Sequence, residues 1–128
     1  MAGQRDCDST VISGRMHKAT EFLDLAEFAE DTHPTAAADL YIDAGIAAAD
    51  VICCVRLGMH SNTGNHNEAR ALLQKADPGS ERYLATLLSL KNKSAYTHEP
   101  ISAAECKKMN RAAGHLVTAA KKALAAAR

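Results

Sequence analysis

The chain has 128 residues, of which 47% are hydrophobic and 23% charged, and its formal net charge is zero. This length suits one domain with its own core, and the composition excludes a largely disordered chain. No run of 18 apolar residues is present, and the polar start "MAGQRDCDSTVISG" lacks the apolar segment of a secretory signal, so we expect a cytoplasmic protein with no membrane partner.

The first two helices are predicted by apolar spacing and by their ends. We expect residues 1–10 to form a flexible N-terminus and residues 11–126 to form one helical domain. Helix 1 is predicted over Val11–Asp31, where apolar residues recur at three- and four-residue steps. Helix 2 should begin near Pro34, which suits a first helical turn, and end at Gly58, a typical C-terminal cap. It is apolar around most of its circumference, which predicts a central helix, and Gly45 within it predicts a close helix crossing.

The next helices are introduced by capping signals. Asn65, followed three residues later by Glu68, indicates a capping box for a short helix, "HNEARALLQKA". The dipeptide Asp77-Pro78 opens a fourth helix that ends with "KNKSAY". Ser102 and Glu105 form an S-x-x-E capping box for the last helix, "AAECKKMNRAAGHLVTAAKKALAAA".

These elements together predict an all-α, single-domain bundle of about five helices. No strand pattern, solenoid repeat or long linker interrupts the sequence. We therefore expect an up-down core of four long helices and one short helix.

The four cysteines show no metal-binding or redox spacing. Cys53 and Cys54 are adjacent within an apolar helical run, which predicts buried free thiols, and Cys7 and Cys106 are isolated. This pattern favours a reduced protein over one with a structural disulfide. We expect no cofactor and no metal centre.

The charge is unevenly distributed along the chain. Residues 1–50 hold three basic and ten acidic residues, whereas residues 91–128 hold eight basic and two acidic residues. Two interpretations stay open: the helices attract one another within the bundle or across a dimer, or the basic part forms a surface for phosphates.

The order of these segments resembles the HEPN superfamily, the "higher eukaryotes and prokaryotes nucleotide-binding" helical domains. The resemblance rests on "AADLYIDAGIAAADVICCVRLG", the histidine of "GNHNEA" and "LATLLSLKNKSAYTHEPISAAECKKMNRAAGHLV". It covers roughly residues 34–120, and no single motif within it is diagnostic.

The resemblance implies a homodimer and one of two activities. One branch of the superfamily comprises metal-independent endoribonucleases of toxin–antitoxin and phage-defence systems. Their signature is an Arg, four to six residues and then a His, often with a polar residue directly after the Arg. The other branch has lost this signature and serves in binding or assembly.

The stretch "LKNKSAYTHEP" carries the nearest match to that signature. His98 follows Lys91 after six residues and Lys93 after four, and Asn92 takes the polar place after the base. A histidine here would act as the acid or base and a lysine would bind the phosphate. The family's Arg is a Lys, however, which offers one mobile charge in place of a planar two-pronged donor. Alternatively, the lysines only stabilise the helix end, and His98 lies in a solvated turn just beyond it.

Other candidate residues give weaker signals. Arg111 and His115 lie one turn apart on the last helix and could bind a phosphate, or simply face solvent. Tyr96 could line a nucleotide pocket, although Tyr41 and Tyr96 are more typical of buried rings with a bonded hydroxyl. His60 and His66 flank a polar loop, but their irregular spacing predicts no metal site.

Three functional hypotheses follow. The first is a non-catalytic HEPN-like protein that binds RNA, a nucleotide or a protein partner. The second is a metal-independent endoribonuclease that uses His98 with Lys91 or Lys93. The third is a structural helical adaptor whose basic helix pairs with an acidic protein.

Overall fold

The computed structural model describes residues 4–62 and 65–127. Five α-helices and a small two-stranded sheet make up this part of the chain, which confirms the all-α, single-domain class. The elements, in chain order, are β1 (Gln4–Asp6), α1 (Ser9–Ala29), α2 (Pro34–Leu57), β2 (Met59–Ser61), α3 (His66–Ala76), a 3-10 turn (Pro78–Ser80), α4 (Glu81–Tyr96) and α5 (Ala103–Ala126).

Helix α2 forms the centre of the bundle, as its apolar circumference predicts. It contacts α1, α3, α4 and α5, and most of its residues from Ala37 to Cys54 are buried. Gly45 lies at a close crossing, because a Cβ atom there would collide with the Leu87 side chain and lie 3.2 Å from Cδ1 of Leu116. Gly58 ends the helix with a φ of 77°, a left-handed conformation that glycine adopts without strain.

Side-chain caps begin three of the helices and confirm both predicted capping positions. Asp8 accepts a hydrogen bond from the backbone N–H of Val11 at the start of α1. Asn65 accepts from two backbone N–H groups at the start of α3. Ser102 and Glu105 form the complete, reciprocal capping box of α5. Each cap satisfies donors that the first helical turn leaves unbonded.

A polar network joins α1, α2 and α5 around the buried Glu30. Its carboxylate accepts hydrogen bonds from the Tyr41 hydroxyl at 2.5 Å, from Nδ2 of Asn110 at 3.0 Å and from Nζ of Lys107 at 3.1 Å. Burial alone would raise the pKa of Glu30, but these donors outweigh it and hold the pKa below its usual value. The ion pair between Glu30 and Lys107 links the acidic first part of the chain to the basic last helix. This contact agrees with the interpretation that oppositely charged helices attract one another within the bundle.

The start of the chain differs from its expected description. Gln4–Asp6 forms an antiparallel strand with Met59–Ser61, with Arg5 opposite His60, although the sequence predicted no strand. Helix α1 begins at Ser9, two residues before the predicted start at Val11, so residues 4–6 and 9–10 of the expected flexible N-terminus belong to β1 and α1.

A disulfide joins Cys7, just after β1, to Cys54 in the last turns of α2. The prediction of a fully reduced protein with Cys54 as a free thiol is therefore wrong. Cys53 and Cys106 are free and buried, as predicted for Cys53. The two paired cysteines are 47 positions apart, and the pairing of β1 with β2 is what brings them together.

Candidate functional site

A pocket of about 190 Å³ lies where α2, β2, α3 and α4 meet, and we call it the α2–α4 pocket. Its wall is mainly apolar, and its polar groups come from all four elements. The apolar lining residues are Ile46, Ala49, Ala69, Leu72, Leu84 and Leu88, and the polar ones are Asp50, Cys53, Ser61, His66 and Lys91. An apolar wall with a few convergent polar groups is typical of small-molecule sites.

Each polar group is placed by a distinct local feature. Asp50 projects from the middle of α2, Ser61 ends β2, and Lys91 lies on α4. His66 is the first residue of α3, the helix that Asn65 caps through two backbone N–H groups of the first turn. The pocket therefore depends on the packing of four elements and on no single motif.

The Ser61 hydroxyl is the most informative group in the pocket. Its Oγ atom is buried and has no hydrogen-bond partner. It is the single side-chain polar atom of this kind within residues 4–62 and 65–127. A buried hydroxyl without a partner costs free energy, on the order of 1–3 kcal/mol. Because Ser61 also lines the pocket, a ligand that reaches this hydroxyl would recover that cost.

Asp50 separates the pocket from a second set of charged groups. Its carboxylate lies 3.6 Å from the Arg15 guanidinium and 3.8 Å from Nδ1 of His60. Burial raises the pKa of Asp50, and the nearby His60 and Arg15 oppose that rise. The Asp50 carboxylate is therefore paired with the Arg15 guanidinium on the side away from the pocket.

His66 and Lys91 form the basic side of the pocket. Partial burial lowers the pKa of His66, and the positive charge of Lys91 lowers it further. Both effects favour the neutral ring of His66, which offers one hydrogen-bond donor and one acceptor beside the Lys91 cation.

The structure places the predicted ribonuclease residues in different surroundings. Lys91 lines the α2–α4 pocket, whereas Nζ of Lys93 lies 3.0 Å from Oε1 of Glu105 in an ion pair between α4 and α5. Helix α4 ends at Tyr96, and His98 lies beyond this end with an exposed side chain. This is the position expected if His98 belongs to a solvated turn. Asn92 is also exposed.

The other predicted binding residues lie elsewhere on the bundle. Tyr96 is 74% exposed, so the expectation of a buried ring is wrong for Tyr96 and confirmed for Tyr41. His115 stacks on Tyr83 with ring centroids 4.3 Å apart, beside a shallow groove distinct from the pocket. Arg111 is exposed.

Sequence reasoning missed Asp50 and Ser61 as site residues. Asp50 did leave a signal, since it is the one charged residue in "AGIAAADVICCV". A carboxylate inside an apolar helix is rarely buried without a specific partner. No feature of the sequence indicated Ser61, because the absence of a hydrogen-bond partner for its hydroxyl depends on how the helices pack.

A second cluster lies beyond Asp50, at the disulfide. The sulfur atoms of Cys7 and Cys54 and a ring nitrogen of His60 all lie within 4.8 Å of one another. His60 is 1% exposed, and its Nδ1 lies 2.7 Å from the backbone oxygen of Ser61. We call this group the Cys7–Cys54–His60 cluster.

Comparison of the chain with family models, curated proteins and solved structures gave no match in any of the three. None of the helices in the described ranges combines the length and hydrophobicity that crossing a bilayer requires.

Proposed function

We propose that this chain is a non-catalytic, HEPN-like binding protein that takes a nucleotide, or one nucleotide unit of an RNA, into the α2–α4 pocket. The observation that carries the proposal is the buried, unpartnered Ser61 hydroxyl in a leucine-walled pocket that Lys91 and His66 also line. A homodimer, implied by the HEPN resemblance, belongs to the same proposal.

The chemistry of the pocket matches the two parts of a nucleotide. The apolar wall offers a surface for a flat base, and Ser61 offers a hydrogen bond to the base edge. Lys91 supplies a cation for a phosphate, and neutral His66 adds a hydrogen-bond donor. At about 190 Å³ the pocket is smaller than the roughly 300–1,000 Å³ of typical ligand sites, so it would take a single small unit and not a longer segment.

Non-catalytic binding is favoured over cleavage because the predicted catalytic groups have other surroundings. Lys93 is already paired with Glu105, and the exposed His98 lies past the helix end. An acid or base that cleaves RNA must reach the proton it transfers, and a clamped phosphate must lie beside it.

Binding is tested with fluorescent mononucleotides and a short mixed-sequence RNA, using wild type and a Lys91→Gln variant. A charge-assisted hydrogen bond contributes about 1.5–3 kcal/mol, so Lys91→Gln should weaken binding about ten- to hundred-fold. The variant should also show a shallower dependence of affinity on salt, since one phosphate contact is lost. Lys121→Gln, at an exposed position on α5, is the charge-matched control and should bind like wild type.

Ser61→Ala gives a second test, in which protein stability and ligand affinity should not fall together. It removes a buried hydroxyl that lacks a partner, so the free energy of unfolding should stay constant or rise, while ligand affinity should fall. Equal binding by wild type, Lys91→Gln and Ser61→Ala would refute the pocket as the binding site.

The same RNA, incubated without metal ions, tests the ribonuclease alternative. We expect it to remain intact. If wild type cleaves it and a His98→Ala variant does not, the protein is an enzyme and the non-catalytic proposal is wrong.

A further inference from the structure

We infer that the Cys7–Cys54–His60 cluster is a redox-gated Zn²⁺ site, formed when the disulfide between the two cysteines is reduced. The inference is independent of the proposed nucleotide site. It starts from three side chains with zinc-binding chemistry that meet at one place, although Cys7 is 47 positions away from Cys54 in the sequence.

The ligand set is typical of zinc. Two thiolates and one imidazole are soft and borderline ligands, and zinc favours such a set in four-coordinate sites. Zinc bonds of about 2.3 Å to sulfur and about 2.0 Å to nitrogen require ligand atoms roughly 3.5–3.8 Å apart. The two sulfur atoms and a ring nitrogen of His60 already lie within 4.8 Å of one another, so small side-chain movements suffice once the sulfurs separate.

The hydrogen bond of His60 orients the ring for metal binding. A backbone oxygen can only accept, so Nδ1 of His60 donates its proton to the oxygen of Ser61 at 2.7 Å. The lone pair of the neutral ring is therefore on Nε2. Histidines that bind metals commonly donate their other N–H to a backbone oxygen or a carboxylate, and Asp50 lies 3.8 Å from the same Nδ1.

The charge balance also suits this buried position. Cys54 is 4% exposed and His60 1% exposed, so an isolated cation there would be costly. Two thiolates neutralise one Zn²⁺, and the imidazole adds no charge. Three protein ligands leave the fourth position to a water molecule.

The gating step balances as a dithiol exchange. A dithiol reductant transfers two electrons and two protons to the sulfur atoms of Cys7 and Cys54, the S–S bond breaks, and the reductant becomes a disulfide. When Zn²⁺ binds, each thiol releases its proton to solvent as the sulfur–zinc bond forms. The disulfide and the metal thus exclude each other.

The test is metal binding by the full chain with and without a phosphine reductant, which competes for Zn²⁺ less than thiols do. Zn²⁺ is quantified by competition with a chromogenic chelator, and Co²⁺ serves as the spectroscopic probe. We expect one Zn²⁺ per reduced chain, none per oxidised chain, and a thiolate-to-cobalt charge-transfer band with the intense visible bands of tetrahedral cobalt.

Variants separate this site from other thiols. Cys7→Ser and His60→Gln should each weaken binding at least tenfold, and Cys7→Ser should also weaken the charge-transfer band. Cys106→Ser, at a buried free cysteine outside the cluster, should bind like wild type. His60→Gln keeps both cysteines and the disulfide, so its oxidised form checks folding by circular dichroism.

Several outcomes would overturn the inference. They are the absence of Zn²⁺ from the reduced wild type, equal binding by the oxidised and reduced forms, and unchanged binding by a folded His60→Gln variant.

Discussion

Replacing Gly45 with alanine should destabilise the bundle, although alanine is the better helix former. A Cβ atom at position 45 would meet the side chains of Leu87 and Leu116, both of which are fully buried. Overpacking of this kind costs about 1–3 kcal/mol, because a buried leucine in a close-packed interior can shift only by disturbing its neighbours. The gain in helix propensity is about 1 kcal/mol and offsets only part of that cost.

Gly114→Ala is the matched control. Gly114 also lies inside a long helix, but a Cβ atom there would have no heavy atom within 4 Å. It should gain about 1 kcal/mol from propensity alone. The difference between the two variants therefore isolates the steric cost of the α2 crossing, about 1–3 kcal/mol.

Urea denaturation followed by circular dichroism measures this difference, and thermal unfolding gives a second estimate. For a chain of this size, 1 kcal/mol shifts Tm by roughly 4 °C, so the two variants should differ by about 4–12 °C. Equal stability of Gly45→Ala and Gly114→Ala would show that α2 does not cross its neighbours as closely as described.

Two further predictions concern pH and the disulfide. The pKa of Glu30 is lower in the folded chain than in the unfolded chain, so its contribution is fully present above the unfolded pKa and is lost as pH falls through the folded pKa. Urea midpoints between pH 3 and 7 should show a smaller acid loss for Glu30→Gln than for wild type, and equal slopes would contradict this. Cys7→Ser opens a cross-link between positions 47 apart and should lower the free energy of unfolding by up to about 4 kcal/mol. Reductant should lower the urea midpoint of the metal-free wild type toward that of Cys7→Ser and leave the variant unchanged.

The helices were predictable because their signals are local. Pro34, Gly58, Asn65 and Ser102 act through backbone groups within a few residues, and each marks a helix end in the structure. Gly45 was also interpretable, since a glycine amid alanines has a propensity cost that only close packing explains.

The small sheet and the disulfide were not predictable in the same way. Strands of three residues are too short to show an alternating pattern, and Cys7 meets Cys54 only after the chain turns at Gly58 and β2 pairs with β1. Adjacent cysteines in an apolar helix indicated burial correctly but carried no information about a partner.

The candidate site was only partly predictable for a related reason. Lys91 was identified from a local spacing that linked it to His98, whereas in the structure it shares a pocket with His66 and Ser61. Side chains from four elements meet there, and local spacing cannot report such a meeting.

The connection between α4 and α5 is held at its two ends and exposed between them. Lys93 is paired with Glu105 across it, and the backbone N–H of Ile101 donates to the Thr35 hydroxyl. Residues 97–100 are all exposed. Lengthening a loop whose ends are already fixed adds little closure entropy, so a peptide tag inserted here should leave the bundle intact. The segment thus offers an attachment point for a fluorophore or an affinity handle.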